Sequence, residues 1–184
     1  LVEPAFQIPA SQPIKIEASQ RFDERWSQAP HTTVDFQSTP GGQPLIMRAD
    51  VNEVFVPLGL QMRSERPGYI GISGYAFRAD CPPKENSICV FESVGNAFQR
   101  FKGIMEFRFC VPNQPTVAAG VHEFGLFASR VDRARDFILE AYNAEGLRIA
   151  TVESSDANCT FLGVRASEPI ARIRLLSNSF LYSL

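Results

Sequence analysis

Glu106, Glu123, Glu140 and Glu153 each fall in a stretch that alternates like a strand. Two carboxylates across one sheet face are what a sandwich glycosidase requires, because one must donate a proton while the other attacks or stabilises. None of the four lies in a dense acidic motif, and a lone strand carboxylate ordinarily belongs to a solvated face. Catalysis is therefore the remotest reading. A nucleophile is no better supplied. Gly71-Ile72-Ser73-Gly74 comes near a nucleophile elbow but lacks its spacing and the helix that should follow. A Ser-His-Asp triad would have to draw on His31 or His122. The latter, between Val121 and Glu123, reads as a structural or surface histidine.

The cysteines are Cys81, Cys89, Cys110 and Cys159, and no pair has the short spacing of a zinc knuckle. An even count without metal spacing suggests two disulfides and an oxidising compartment. Four buried thiols in a cytosolic protein is the other reading. Cys81 and Cys89 bracket a polar, proline-rich loop, which predicts one link by proximity. Cys110 and Cys159, at a strand end and a strand start, would form the second, although four cysteines allow three connectivities. The start at Leu1-Val2-Glu3-Pro4 has neither a basic segment nor an apolar run, so any secretory leader is expected to have been removed.

These groups need elements to hold them. A chain of 184 residues suffices for one sizeable core. A net charge of -2 gives no basic footprint for nucleic acid, and no run approaches the ~18 apolar residues of a membrane span. Fifteen phenylalanines lean the composition towards sheet. Residues 1–30 form an extended arm rich in proline and glutamine, whose Ile14 to Glu17 alternates and could add an edge strand. The arm is expected to dock through Phe6, Ile14, Phe22 and Trp26, the last acting as a plug. From there, residues 31–184 read as short strands: Thr32 to Phe36 before Pro40-Gly41-Gly42, Gly59 to Arg63, Tyr69 to Ser73, and Gly103 to Val111. Val121 to Val131 follows, then a hairpin of Phe137 to Tyr142 and Leu147 to Glu153. Cys159 to Arg165 and Ile170 to Leu176 come last. Strands at such spacing are the pattern of a sandwich or a barrel, and the expected fold is an all-β, two-sheet antiparallel β-sandwich. The strand-like end at Asn178 to Leu184 is expected to reflect trimming or cleavage inside or just before a final strand.

Phe137 to Gly146 resembles the strand, acidic turn and glycine of a hairpin found in secreted bacterial β-sandwich domains. Phe161-Leu162-Gly163-Val164-Arg165 followed by Glu168 to Ile173 looks like their penultimate hairpin, and Thr33 to Gln37 resembles their opening strand. These are the domains of surface proteins with PEP-CTERM-type sorting signals, similar in their jelly-roll shape to carbohydrate-binding modules. The resemblance is at the level of the fold. It implies a secreted or cell-surface location and a non-catalytic module, with a polysaccharide or glycan as the ligand class. It also implies one structural calcium, for which Asp35 matches the first acidic position loosely.

Sugar recognition pairs an aromatic ring with carboxamide, carboxylate or guanidinium hydrogen bonds. Tyr142 with Asn143 and Glu145 supplies that set within one turn, and Tyr69 near Arg66 supplies a second. The plainer reading, and the favoured one, is that both tyrosines merely cap the core. The rival reading is a structural or assembly domain, which binds a surface protein through edge strands and the arm.

Overall fold

The computed structural model describes residues 15–20, 26, 32, 34, 36–46, 48–65, 68–73, 87–94, 97–100, 103–129, 135–155 and 159–177. In chain order the strands are β1 (Ile16–Ser19), β2 (Leu60–Ser64), β3 (Tyr69–Ser73), β4 (Ser87–Val94), β5 (Ala97–Arg100) and β6 (Ile104–Val111). They continue as β7 (Gln114–Ala118), β8 (Val121–Ser129), β9 (Phe137–Tyr142), β10 (Arg148–Glu153), β11 (Cys159–Ile170) and β12 (Arg172–Ser177). A 3-10 turn, Val56–Leu58, leads into β2. Among the described residues no helix is long and apolar enough to cross a membrane.

Two antiparallel sheets pack face to face as an all-β sandwich. The larger runs β10-β9-β12-β6-β2, with β7 paired to the end of β6, and the smaller runs β1-β11-β8. A third sheet, β3-β4-β5, is joined to the larger one by the segment before β2. There Val51 donates to the Ile70 carbonyl and Met62 to the Asn52 carbonyl, so one stretch of backbone serves two strand edges. The last four strands follow a Greek-key path. A hairpin of β9 and β10 lies in one sheet, β11 crosses to the other, and β12 returns beside β9.

The alternation of each central strand explains this packing. In β6, Met105, Phe107 and Phe109 turn inward, as do Ile173 and Leu175 of β12 and Leu139 and Ala141 of β9. They meet Leu162, Val164 and Ile170 of β11 and Phe124 of β8, whose ring lies 5.3 Å from that of Phe107. Met62, Leu139, Leu162, Ile170 and Ile173 are wholly buried, and each such side chain contributes roughly 2 kcal/mol by leaving water.

Two expectations require correction. Where an opening strand is expected over 32–36, the described residues Thr32, Val34 and Phe36 are not in a strand, and Phe36 adopts a left-handed φ of 61° that turns the chain and sets its ring edge-on to Phe55. The Pro40-Gly41-Gly42 turn does form, closed by a Ser38–Pro44 bridge. Cys110 carries a free, buried thiol, so the proposed link to Cys159 is not made. The reason is geometric. Cys110 shares the outward parity of Glu106 and Arg108 on β6, whereas Cys159 begins β11 in the opposite sheet. Burial, with the Glu53 charge adding to it, raises the Cys110 pKa and keeps the thiol protonated. Cys81 lies outside the described residues, as does the side chain of Cys89.

The arm enters the fold in two places. β1 pairs with β11 in register from Ile16↔Ala166 to Ser19↔Gly163. Gln20 then reaches across to donate to the Glu153 carbonyl of β10 at 2.7 Å, linking the two sheets along one side. Trp26 covers the far face of the smaller sheet. There Gly125 and Gly163 stand opposite each other and leave a slot that Phe161 and Trp26 fill, ring centroids 5.0 Å apart. The Arg165 guanidinium lies 4.2 Å above the indole. Phe6, Ile14 and Phe22 lie outside the described residues.

Trp26 is the only tryptophan, so its fluorescence reports this contact alone. Trp26→Ala should lower unfolding stability by about 3 kcal/mol in urea melts. In Gly163→Ala, the new Cβ would lie 2.7 Å from the indole and 2.5 Å from Phe161, so the emission should shift to the red. Gly41→Ala, whose Cβ would meet only the Thr39 hydroxyl at 3.8 Å, should leave both readouts unchanged.

Candidate functional site

The outward face of the larger sheet carries charge where an ordinary solvated face would carry scattered polar groups. The registers line its side chains up in two rows across the strands. One row reads Arg148, Tyr142, Arg172, Arg108 and Gln61, and the next reads Glu140, Arg174, Glu106 and Arg63. Both glutamates are buried at 7% exposure, yet each lies on the sheet's outer surface. The arginines bury them, laying their long stems over the sheet while the charged heads reach the edge of the water.

Every carboxylate oxygen in the two rows is taken. Glu106 accepts from Arg108 Nε and from Arg172 Nη1, the latter at 3.3 Å. Glu140 accepts at one oxygen from Arg148 Nη1 at 2.6 Å. At the other it accepts from the Tyr142 hydroxyl at 2.7 Å and Arg174 Nη1 at 3.4 Å. Arg174 also reaches Glu65 at 2.5 Å, and Gln61 donates to Glu53 at the far edge. The Arg172 guanidinium stacks 4.4 Å above the Tyr142 ring. Burial alone would raise the Glu140 pKa, but hydrogen bonds from Tyr142 and Arg148 and the charges of Arg148 and Arg174 outweigh it and hold it below the usual carboxylate range. Arg174 is held in its charged form chiefly by its hydrogen bond to Tyr142 and by Glu65.

The expected site residues are distributed differently. Tyr142 belongs to the charged rows. Asn143 is a buried turn residue whose Oδ1 accepts from the Leu147 amide at 2.9 Å, where Gly146 takes a φ of 78° to close the hairpin. Glu145 is exposed on that turn. Tyr69 opens β3 in the third sheet, well separated in topology from Tyr142, and Arg66 lies outside the described residues. Asp35 also lies outside them, and among the described residues no three His, Cys, Asp or Glu side chains gather for a metal.

Of the four strand carboxylates, Glu106 and Glu140 share a face, two strands apart across β12. Glu123 pairs with Arg165 on the smaller sheet, and Glu153 pairs with Arg135 at the β10 edge. His122 presents Nδ1 at 3.0 Å to the Ala166 carbonyl, beside the bulge in β11, which is a structural task. Sequence reasoning passed over Arg172, Arg174 and Arg108 as the outward half of an alternating pattern. Their alternation with Ile173, Leu175 and Phe107 was the available signal. Comparison with known protein families, curated proteins and solved structures finds no match to this chain.

The lattice should show itself on acidification. Because the folded pKa of Glu140 is depressed, its stabilisation is complete above its ordinary value near 4.5 and is lost as pH falls through the lower folded value. Urea melts from pH 7 down to pH 3 should show the wild type losing stability below about 4.5. Glu140→Gln should lose less over that range. At neutral pH it should already be weaker by about 2 kcal/mol, between the cost of breaking an exposed pair and a buried one.

Proposed function

We propose that this domain is a non-catalytic binding module whose ligand lies across the arginine–glutamate face of the larger sheet, with an extended glycan as the ligand class. The observation that carries the reading is the saturation of Glu106 and Glu140 by arginines whose side chains stay from a quarter to over half exposed. A face built this way holds its hydrogen-bond donors in place before any ligand arrives, which lowers the ordering cost of binding a polar chain. The same arrangement disfavours acid–base chemistry. A glycosidase acid needs a raised pKa, and Glu140 is shifted the other way. The extracytoplasmic setting rests on the resemblance to secreted sandwich domains and on the Cys81–Cys89 bracket.

One observation favours the assembly reading. Strand β7 is exposed along its whole length and is tied to β6 by only two residue pairs, which leaves a strand available to a protein partner.

Calorimetry against a panel of neutral and acidic polysaccharides, run beside sedimentation velocity, separates the two. The expected result is a monomer with weak glycan binding. Arg148→Ala should weaken that binding and, because it leaves one oxygen of buried Glu140 without its partner, should also lower stability by about 2 kcal/mol. A concentration-dependent oligomer that binds no glycan would replace this reading with assembly.

A further inference from the structure

We propose that the ligand of the charged face is an acidic polysaccharide, whose carboxylate or sulfate groups are taken by the guanidinium donors that the buried glutamates leave over. This rests on the reading of the face as a glycan surface and specifies the chemistry of that glycan.

A guanidinium carries five N–H donors. Arg108, Arg148 and Arg172 each give one nitrogen to Glu106 or Glu140, and their side chains remain 46%, 57% and 32% exposed. Arg63 stands opposite Glu106 on β2, exposed, and makes no ion pair among the described residues. At the centre of the rows, Arg174 Nε is buried with no hydrogen-bond partner among them. Five arginines thus face Glu106, Glu140, Glu65 and the more distant Glu53, a positive surplus on a chain whose net charge is -2. Guanidinium donors match carboxylate and sulfate oxygens in planar, two-point geometry.

The arrangement also selects among ligands. A neutral sugar chain leans on an open aromatic ring, but the ring of Tyr142 is covered by Arg172, so charge and hydrogen bonding are what the face offers. A single-stranded nucleic acid would need the same open rings for base stacking. An acidic peptide would be expected at a strand edge, where backbone pairing gives it affinity. The arginines instead form a row that runs from strand to strand over the outer face of the sheet, near the strand ends at Tyr142, Arg148 and Arg172, crossing strands about 4.8 Å apart. An extended polymer with regularly spaced anionic groups can follow such a row.

The test is affinity electrophoresis of the full chain in gels containing polygalacturonate, dextran sulfate, fully methyl-esterified pectin, neutral dextran or polyglutamate. Retardation is expected with polygalacturonate, dextran sulfate or both, which also separates the carboxylate source from the sulfate source. It should be absent with esterified pectin and dextran, and should weaken as salt rises from about 50 to about 500 mM. Arg63→Ala should reduce the retarding affinity about five-fold, the scale of one surface charge pair, and Arg63→Glu should reduce it further. Neither variant orphans a buried carboxylate, so both should keep the wild-type melt. Equal binding of esterified and free polymer, with Arg63→Glu without effect, would overturn the acidic assignment and leave the glycan reading standing. Binding of polyglutamate as tight as polygalacturonate, and sensitive to Arg63, would overturn the polysaccharide assignment. If none of the polymers retards the chain, both readings fall.

Discussion

Two ionised glutamates, buried in the outer face of a sheet, set the terms for the rest of this molecule. A carboxylate taken out of water costs several kcal/mol unless close cations and hydrogen bonds replace its hydration. Glu106 and Glu140 lie on strands β6 and β9, so their partners must come from between and beside those strands. β12 supplies them. Its Arg172 and Arg174 project outward because Ile173 and Leu175 must project inward, and the period of two leaves no other choice. A strand that served only the core could sit at an edge. This one has to be central, and the path that brings it back between β9 and β6 after β11 follows from that demand.

The opposite surface of the sandwich solves a different problem by different means. Where the larger sheet covers its outer face with arginine stems, the smaller one covers part of its face with its own N-terminal arm. Removing the side chains at Gly125 and Gly163 creates a slot, Phe161 lies in it, and Trp26 closes it from a segment more than a hundred residues away in sequence. With β1 paired to β11 and Gln20 bonded to β10, the arm also ties one side of the sandwich together. One outer face is therefore partly covered by aromatic rings and the other is left charged and open, which is why the charged one is the candidate for binding.

The sequence revealed local alternation well and contact between distant strands poorly. The inward residues of β6 and β12 were readable because period two is a property of one strand, and so was the hairpin at 137–153, because Asn143 to Gly146 is a turn with its own chemistry. Thr32 to Phe36 has strand composition, and only tertiary packing of Phe36 against Phe55 explains its left-handed turn. The β4 and β5 strands carry no clean alternation and were missed. At the site, Tyr142 was singled out but given its neighbours in sequence, Asn143 and Glu145, as partners. Its actual contacts are Glu140 within its own strand and Arg172 and Arg174 some thirty residues on, a register that no local pattern encodes. The pairing of Cys110 with Cys159 failed for the same reason, since the sheet each strand would join was not visible.

Stability alone does not account for the charged rows. Replacing a buried ion cluster with apolar side chains of similar volume is often neutral or favourable, because the desolvation cost disappears with the charges. An apolar version of this face would, however, expose a hydrophobic sheet surface to water and invite association. A face of scattered lysines would keep the chain soluble without burying any carboxylate. The arrangement found here does neither. It accepts the cost of two buried charges and gains guanidinium groups held in fixed positions, with donors still directed at solvent. Arginine suits that outcome better than lysine, whose flexible ammonium could neutralise Glu106 or Glu140 but would not hold a planar set of further donors in place. Fixed donors over neutralised carboxylates are useful to a protein that meets an oxygen-rich, negatively charged partner, and they bring no comparable advantage to one that only needs to stay folded.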